Sequence, residues 1–519
     1  MTVRSYEPQE GQNSAPARPR KLLRPLEIPE AALARVPANV WTACVVSGYL
    51  LLVVPTLARH VLWRDEAQMW LVARASQDFS QLLANMSYEN RPILWFLLVW
   101  PIARFSSNPE AMKLLNVAVA GISAAVVSRW LPLFRLEQLA LLGGFLFVLG
   151  YSTVTQGYML GVALTIGWAA AYTRRMFATQ FIIAGLMASV HVLFTAIALP
   201  LMVVTAIVWA KSSHGTSARA RLSTIVAGIA GVSLALANLL LVIPPADYWF
   251  RESPAIPLLE RVRDPTIVLD SLHYVASSVV APGVALPRLL AGLPSEVFAI
   301  PVAVILVIGL RRAGLTLIAP AIALVVVVGN GVLGYGPYWW HSGPIILIVV
   351  LAVVMTRVVT GGPWTRGSLI WQCAALWLVL ALQVLAGVSF PGTTLRGWTD
   401  YSGSKEAAAI VSAACPRGCP LVTDINYRAA AVSAYLGGQS MYQLNGGLDG
   451  TFTIWTRSNL QSGDVSWAST VAALAERGPG ALAVLSELRD PPPEIEVIGQ
   501  TGGAVWADEE FLVVRLRAQ

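Results

Sequence analysis

Three charged residues, Arg64, Asp65 and Glu66, stand side by side directly after the first apolar segment of the chain. Glu89 and Arg91 follow later in the same polar stretch, in the sequence ENRP. A carboxylate can serve as a general base, and a guanidinium group suits the oxygens of a phosphate. The same residues could instead begin a helix, because Asp is a good N-cap residue and Glu stabilises a first helical turn.

The composition of the chain indicates a membrane protein. Of its 519 residues 56% are hydrophobic and only 13% are charged, with a mean hydropathy of +0.62; a soluble protein carries about 25% charged residues. About eleven apolar runs approach the ~20 residues that cross a bilayer as a helix. They lie at 39–58, 111–131, 137–150, 157–173, 180–191, 194–210, 222–243, 295–310, 313–332, 343–357 and 368–388. We therefore predict an all-α polytopic membrane domain over residues 39–390.

The distribution of basic residues predicts the orientation of these spans. Residues 1–38 are polar and rich in proline, which predicts a disordered cytoplasmic tail. With that tail inside and residues 60–110 outside, every inner connection carries basic residues, as the positive-inside rule requires. These residues are Arg129, Arg135, Arg174, Arg175, Lys211, Arg219, Arg221, Arg311, Arg312, Arg357 and Arg366. The segment 92–105 must then be an interfacial or re-entrant helix; its 14 residues are fewer than the ~17 of a span, and Pro101 interrupts it.

The same orientation collects polar and aromatic residues on the outer face, opposite to the basic loops. Besides the charged residues of the first loop, the candidates for a cavity there are His60, Tyr151, Gln156, Tyr158, His191, Asp247, His273, Tyr335, Trp339, Trp340 and His341. Four of the five histidines fall on this face. Two interpretations stay open: a cavity that opens outward, or a belt of interfacial aromatic residues with solvated loops.

Residues 395–519 differ from the rest, because the apolar runs of span length stop near residue 390. Helical and strand signals alternate there, which predicts a small soluble α/β domain. With the N-terminal tail inside, every segment that follows an odd number of spans lies outside the cytoplasm. This applies to the C-terminal domain and to the outer loops 60–110 and 244–294. Cys415 and Cys419, in CPRGC, are then expected to form a disulfide. A zinc site is disfavoured, because two further soft ligands would be needed nearby.

The first outer loop resembles that of the GT-C glycosyltransferases. The residues that carry the resemblance are Asp65, Glu66, Ala67, Trp70, Ala73 and the following YENRPILW. This superfamily includes the protein mannosyltransferases that use dolichyl-phosphate-mannose and the bacterial lipid A aminoarabinose transferases. Their loop typically has His-Pro-Pro or Lys-Pro-Pro, whereas here Arg91 takes the basic position and Ile93 replaces one proline. The segments YSTVTQGYMLGVAL, ASVHVLFTA and YGPYWWHSGPIILIVV are similar to later outer turns, although an Arg often found in the first is Gln156 or absent.

The resemblance implies a GT-C-like fold and an enzyme of the bacterial plasma membrane. Such an enzyme moves a sugar from a polyprenyl-phosphate-linked donor, usually with inversion, to a glycan, lipid or protein acceptor of the cell envelope. The residues to which it assigns roles are Asp65, with Glu66 and Glu89 as second candidates, for a base or metal ligand, and Arg91, with His341 or His273, for the donor phosphate. Dependence on a divalent ion such as Mg²⁺ or Mn²⁺ stays open, since the loop has no Asp-x-Asp pair.

Other classes of protein are less consistent with the sequence. A transporter would carry charged residues inside its spans, at a cost of about 2.5–3.5 kcal/mol each, and this chain has very few. A non-catalytic membrane scaffold or binding protein of the same fold stays open, because the proline pattern is degraded and a fold does not guarantee activity. The net charge of +7 does not indicate nucleic acid binding, because the basic residues lie in short loops between apolar segments.

Overall fold

The computed structural model describes residues 30–213, 217–249, 264, 266–280, 292–332, 339–361, 368–389, 400–461 and 463–518. Most of the predicted cytoplasmic tail, much of the predicted second outer loop, and Tyr335 therefore lie outside the described residues. The side chain of Trp339 lies outside them as well.

The membrane domain is built from helices that follow the apolar runs of the sequence. They are α1 (Ala38–Arg59), α2 (Arg64–Ala75), α3 (Phe79–Asn85), α4 (Leu94–Phe105), α5 (Met112–Trp130), α6 (Arg135–Leu142), α7 (Tyr151–Thr153), α8 (Tyr158–Thr173), α9 (Phe177–Ala188), α10 (Val192–Ser212), α11 (Ala218–Leu241), α12 (Ile267–Val279), α13 (Ile300–Ala313), α14 (Ile318–Asn330), α15 (Trp339–Ser342), α16 (Pro344–Thr360) and α17 (Ser368–Ser389). A π-helical turn, Leu146–Gly150, leads into α7. The chain is a multi-pass membrane protein.

Each of the eleven predicted runs coincides with a helix, but fewer helices are long enough to span a bilayer on their own. Seven described helices pass a test of length and composition, or eight if the bent pair at residues 135–153 counts as one span. The predicted count of about eleven is not reached by length, because α8 and α9 have only 16 and 12 residues. The 36-residue segment Ser295–Asn330, which contains both α13 and α14, counts only once, although Gly314, with φ 57°, lies between these two helices.

The basic loops contact one another at one end of the helix bundle, which we call the inner end. The Arg174 guanidinium lies 4.5 Å from the centre of the Trp130 ring. Arg357 and Glu137 form a buried ion pair at 2.6 Å. Arg135 donates a hydrogen bond of 2.7 Å to the carbonyl of Val36, just before α1 begins. Residues that the positive-inside rule assigned to one side thus lie together.

The segment predicted to stay on the outer side forms the 12-residue helix α4. At 1.5 Å per residue such a helix is about 18 Å long, well short of the ~30 Å hydrocarbon core. Arg104 at its end donates to the Ala73 carbonyl, and the Trp100 indole donates to the Ser76 carbonyl, so α4 is tied to the end of α2. Its length and contacts suit the predicted interfacial position.

The C-terminal domain covers the other end of the bundle, the outer end, with a six-stranded mixed sheet. The strands are β1 (Leu421–Thr423), β2 (Met441–Gln443), β3 (Leu448–Gly450), β4 (Leu482–Leu485), β5 (Ile495–Gln500) and β6 (Leu512–Leu516), in the order β3-β2-β1-β4-β6-β5. Strand β1 pairs in parallel with β2 and β4, and the remaining pairs are antiparallel. The helices are α18 (Ser404–Ala414), α19 (Asn426–Tyr435), α20 (Arg457–Gln461) and α21 (Trp467–Arg477).

The structure joins Cys415 to Cys419 directly after α18, with the two Cα atoms 6.0 Å apart. We expect unreduced protein to yield a peptide two hydrogens lighter than the reduced one. Replacing both residues by Ser should cost about 2 kcal/mol of stability at most, because so short a loop removes little chain entropy from the unfolded state. Two free thiols in protein isolated with an alkylating quench would contradict the disulfide.

Candidate functional site

The candidate site lies where the outer ends of several helices meet α2. Helix α2 begins at Arg64, with Trp63 as its N-cap residue. The N-cap interpretation of Asp65 is therefore wrong: Asp65 is the second residue of the helix. Glu66 receives the Trp63 N–H at 3.2 Å instead, as an acidic side chain in a capping box does.

Glu66 is fully buried and ties three segments of the chain together. One carboxylate oxygen lies 2.7 Å from Nε2 of His60, at the end of α1. The other accepts hydrogen bonds from the Thr155 backbone N–H at 2.5 Å and hydroxyl at 2.6 Å, just before α8. Burial alone would raise the pKa of the Glu66 carboxyl, but His60 and the Thr155 donors hold it below its usual value. A carboxylate that is buried and hydrogen-bonded in this way holds the loop in place and cannot meet a substrate. The prediction that Glu66 is a catalytic group is therefore wrong.

Asp65 faces Arg91 across the first outer loop. A carboxylate oxygen of Asp65 lies 3.9 Å from Nη2 of Arg91. Their side chains are 29% and 23% exposed, so both are open to a ligand in a way that Glu66, at 0%, is not. Arg91 also lies against the Met69 sulfur, one turn along α2, and the residue before it, Asn90, has a left-handed backbone with φ 50°.

Glu89 supplies a second, buried carboxyl beside this pair. It accepts a hydrogen bond of 2.6 Å from the amide of Gln68 on α2, and Trp455 of the C-terminal domain donates another. Burial raises the pKa of Glu89 to about 7, although Arg91 and the Gln68 amide lower it. Glu89 is thus able to hold or release a proton near neutral pH.

A buried row of aromatic and imidazole rings, which we call the first aromatic wall, lies where α7, α8 and α10 begin. Tyr151 stacks on Tyr158 at 5.2 Å, Tyr158 lies 5.0 Å from the ring of His191, and His191 lies 6.5 Å from His341. Nδ1 of His191 accepts the N–H of Leu193 and so caps α10. Arg91 and His341 both act electrostatically on His191, which connects this wall to the Asp65–Arg91 pair.

Three indole rings pack together beside the start of α2, and we call them the second aromatic wall. Trp63 stacks on Trp506 of the C-terminal domain at 5.3 Å, and the Trp340 ring lies edge-on to both at 5.7 and 5.6 Å. The Trp340 carbonyl accepts the Tyr151 hydroxyl at 3.0 Å, so the two walls join. The indole Nε1 of Trp63 is buried and has no hydrogen-bond partner among the described residues.

The remaining predicted candidates lie elsewhere or have other contacts. Gln156 is buried next to Thr155, and its Nε2 has no hydrogen-bond partner in the described part of the chain. His273 on α12 is half exposed and contacts Ser295 and Glu296, which belong to neither wall. Asp247 accepts the Tyr88 hydroxyl at the edge of the first loop.

Sequence reasoning missed the residues that reach the site from unexpected positions. Gln68 lies on the Asp65 side of α2, three residues on, so helical spacing could have indicated it. Trp63, Trp455 and Trp506 gave no motif signal. The last two come from the C-terminal domain, several hundred positions away in the chain, which no local pattern could reveal.

The comparisons with known proteins give a weak structural likeness. No family model matches the chain, and no curated protein matches it. Among solved structures the chain is similar to ArnT from Cupriavidus metallidurans, in the apo state and bound to undecaprenyl phosphate. Each is 15% identical, each match covers 92% of this chain and 98% of that chain, and the TM-scores are 0.46 and 0.39. ArnT is a member of the group that the first outer loop resembles.

Proposed function

We propose that the chain is an integral membrane glycosyltransferase that moves a sugar from a polyprenyl-phosphate-linked donor to an acceptor at the outer end of the bundle. The observation that carries the proposal is the partly exposed pair of Asp65 and Arg91, 3.9 Å apart, directly beyond the end of the first span. A donor lipid keeps its chain in the bilayer and its phosphate at the interface. In the proposed orientation the pair lies on the outer side of the first span, beside the expected position of that phosphate and of the sugar attached to it.

The proposed reaction is a single displacement at the anomeric carbon. The Asp65 carboxylate takes the proton of the acceptor hydroxyl as the acceptor oxygen forms its bond to that carbon. The bond between the anomeric carbon and the phosphate oxygen breaks, and the polyprenyl phosphate leaves with its electron pair. Arg91 then faces a phosphate that has gained a negative charge, which a guanidinium stabilises more strongly than it stabilises the donor. Attack opposite to the leaving group inverts the configuration.

The two aromatic walls suit a sugar held beside a lipid phosphate. Binding sites for small molecules are mostly apolar, with a few polar groups that fix orientation. Here the polar groups are Asp65, Arg91 and Glu89, while Trp63, Trp340 and Trp506 supply ring surface. His341, whose ring lies 6.5 Å from that of His191, is the proposed second contact for the donor phosphate.

A divalent cation is a further component that this site could use. No group of three or more His, Cys, Asp or Glu within the described ranges is arranged to hold a metal. Mg²⁺, however, is often bound by one or two carboxylates together with substrate phosphate and water. Asp65, which is partly exposed, would then be its protein ligand, and the ion would supply charge neutralisation at the phosphate. We propose such an ion only in that role.

The proposal is tested by offering purified protein in lipid nanodiscs a panel of polyprenyl-phosphate sugars. We expect slow hydrolysis or transfer with at least one donor, released polyprenyl phosphate being measured by mass spectrometry. The Asp65→Asn variant is the matched control for contaminating activity. If no donor is consumed and none binds, with and without Mg²⁺ or Mn²⁺, the chain is better explained as a non-catalytic membrane scaffold of the same architecture.

The orientation in the membrane is part of the proposal. We expect the C-terminal domain to be extracytoplasmic and the connection before α11 to be cytoplasmic, because the basic residues lie at the inner end. Ser412 and Ser217 are both exposed, so each can carry a single Cys in a background without native cysteines. An impermeant thiol reagent should label Ser412→Cys in intact cells and Ser217→Cys only after lysis. The reverse pattern would place the candidate site in the cytoplasm and exclude the proposed orientation.

A further inference from the structure

The C-terminal domain contacts α2 on either side of Asp65. One contact is made by the 3-10 turn Ala507–Glu509, which reaches the first residue of the helix. The other is made by Thr453, which reaches Gln68 one turn further on. Asp65 lies between the two contacts. The C-terminal domain thus contacts the first turn of α2, the turn that carries Asp65, from both sides.

At the first contact, the Glu509 side chain caps the N-terminus of α2. Its Oε1 accepts the backbone N–H of Arg64 at 3.0 Å, and its side chain is fully buried. The first N–H groups of a helix have no partner within the helix and need one from outside. The residue in the capping position, Trp63, has no side-chain acceptor to offer. Asp508 next to it pairs with the Arg64 guanidinium, at a partly exposed position.

At the second contact, Thr453 and Gln68 form a reciprocal pair of hydrogen bonds. The Thr453 N–H donates to Oε1 of Gln68 at 2.9 Å, and Nε2 of Gln68 donates to the Thr453 carbonyl at 2.7 Å. The same Nε2 donates to Glu89 at 2.6 Å. The C-terminal domain therefore fixes not only the helix that carries Asp65 but also the buried carboxyl beside it.

Packing holds the two domains close enough for these bonds. Ala430, Ala431 and Ala434 of α19 lie in the same buried cluster as the apolar side chains of α2. Small side chains let the two helices approach closely. The Tyr435 hydroxyl, at the end of α19, accepts the N–H of Leu62 at 3.0 Å, just before α2. The contact is thus continuous from the turn before α2 to its second turn.

From these contacts we infer that the C-terminal domain is a positioning element for Asp65, acting through Glu509 at one end of its helical turn and through Thr453 and Gln68 at the other. The inference rests on the proposed function for the meaning of Asp65 as the reacting group. It adds that the site is complete only when the C-terminal domain is in place. Glu509 itself touches no reacting atom and is a positioning residue.

The chemistry of Glu509 makes the inference specific enough to test. Glu509→Ala removes the acceptor of the Arg64 N–H, whereas Glu509→Gln keeps an oxygen at the same place. Gln also keeps the shape of the side chain. Burial raises the pKa of Glu509 to about 8, although Arg64, whose Nε lies 3.8 Å away, lowers it. A displacement of about 1 Å can cost 10²-fold in rate. We therefore expect loss of function in the first variant and retention in the second.

The experiment compares the full-length chain with Glu509→Ala, Glu509→Gln and Asp508→Asn. Hydrogen exchange of the peptide that covers α2 should become faster in Glu509→Ala and stay near wild type in the other two. With a donor found by the panel, kcat of Glu509→Ala should fall about 10- to 100-fold with KM little changed. Glu509→Gln should stay within a few-fold of wild type, since it preserves the bond. Asp508→Asn, in the same turn, removes only a partly exposed ion pair and should also have little effect.

Three results would overturn the inference. They are unchanged exchange in α2 of Glu509→Ala, faster exchange confined to the C-terminal domain, and equal losses of kcat in Glu509→Ala and Glu509→Gln. If Glu509→Ala does not fold, Gln68→Ala decides the question, because it breaks the second contact and should also speed exchange in α2. The hydrogen-exchange measurement needs no substrate, so it tests the inference even if the proposed function is wrong. If the wild-type protein turns over a donor but the exchange results contradict the inference, only the inference fails.

Discussion

Replacing Asp65 by Asn is expected to lower the rate of sugar transfer by about 10²–10⁴-fold, the usual contribution of a general base. The amide has the size of the carboxyl group and keeps one oxygen in place, but it cannot accept the proton of the acceptor hydroxyl. The loss should therefore appear in kcat at equal amounts of folded protein. Binding of the donor should be little changed, because Arg91 and both aromatic walls are intact.

The helix itself gives no comparable reason for a loss. Asp65 is the second residue of α2, and the N-cap position belongs to Trp63. Removing a negative charge from a first helical turn costs typically 0.3–1 kcal/mol. Even if all of that appeared in the rate, it would account for less than a tenfold change, since a factor of ten corresponds to 1.36 kcal/mol. Catalysis and helix stability thus predict effects that differ by at least an order of magnitude.

Asp78→Asn is the matched control for Asp65→Asn. Asp78 lies in the same outer loop and caps α3, where its carboxylate accepts the N–H of Gln81 at 2.8 Å. It has no described contact with Asp65 or Arg91, and Asn is an equally good cap residue. Transfer at the wild-type rate is expected for Asp78→Asn. Transfer at the wild-type rate by Asp65→Asn as well would reduce Asp65 to a charge in a helix turn.

Much of the fold could be predicted because the bilayer constrains the sequence so strongly. A segment must be apolar over most of its length to lie in the membrane as a helix, and all eleven apolar runs coincide with helices. The number of helices of full span length could not be predicted so well. The reason is local: Gly143 and Gly144 precede a π-helical turn, and helices such as α9 end early where another outer turn begins. Hydropathy averages over such breaks.

The charged residues of the candidate site could be predicted from the sequence, but the contacts that each of them makes could not. Asp65, Glu66, Glu89 and Arg91 are close in sequence, and helical spacing leaves open which of them face the site. The structure separates the two carboxylates that are neighbours in the chain: Glu66 is locked by His60 and Thr155, and Asp65 faces Arg91. That separation depends on contacts across about 90 positions, which a single sequence does not contain.

Replacing Arg91 by Ala is expected to lower the transfer rate by about 10²–10³-fold, the range seen when one preorganised donor to a developing negative charge is removed. The head group of Arg91 is partly exposed and lies 3.9 Å from the Asp65 carboxylate, so a ligand phosphate that binds beside Asp65 can reach it. The donor phosphate carries one negative charge before transfer and gains a second as the sugar leaves. The loss should therefore be larger in kcat than in donor affinity.

Arg91→Lys separates the charge of the guanidinium from its geometry. A lysine keeps the positive charge but lacks the planar fork that contacts two phosphate oxygens at once. We expect an intermediate rate, between those of wild type and Arg91→Ala.

Arg104→Ala is the matched control for Arg91→Ala, because Arg104 is exposed in the same outer loop and donates to the Ala73 carbonyl rather than to a carboxylate. Its loss should change transfer far less than the loss of Arg91, because Arg104 donates to backbone carbonyls and has no assigned role toward the donor phosphate. If Arg91→Ala and Arg104→Ala lose activity equally, the two arginines merely support the outer loop, and the phosphate contact must be sought on the His191–His341 wall.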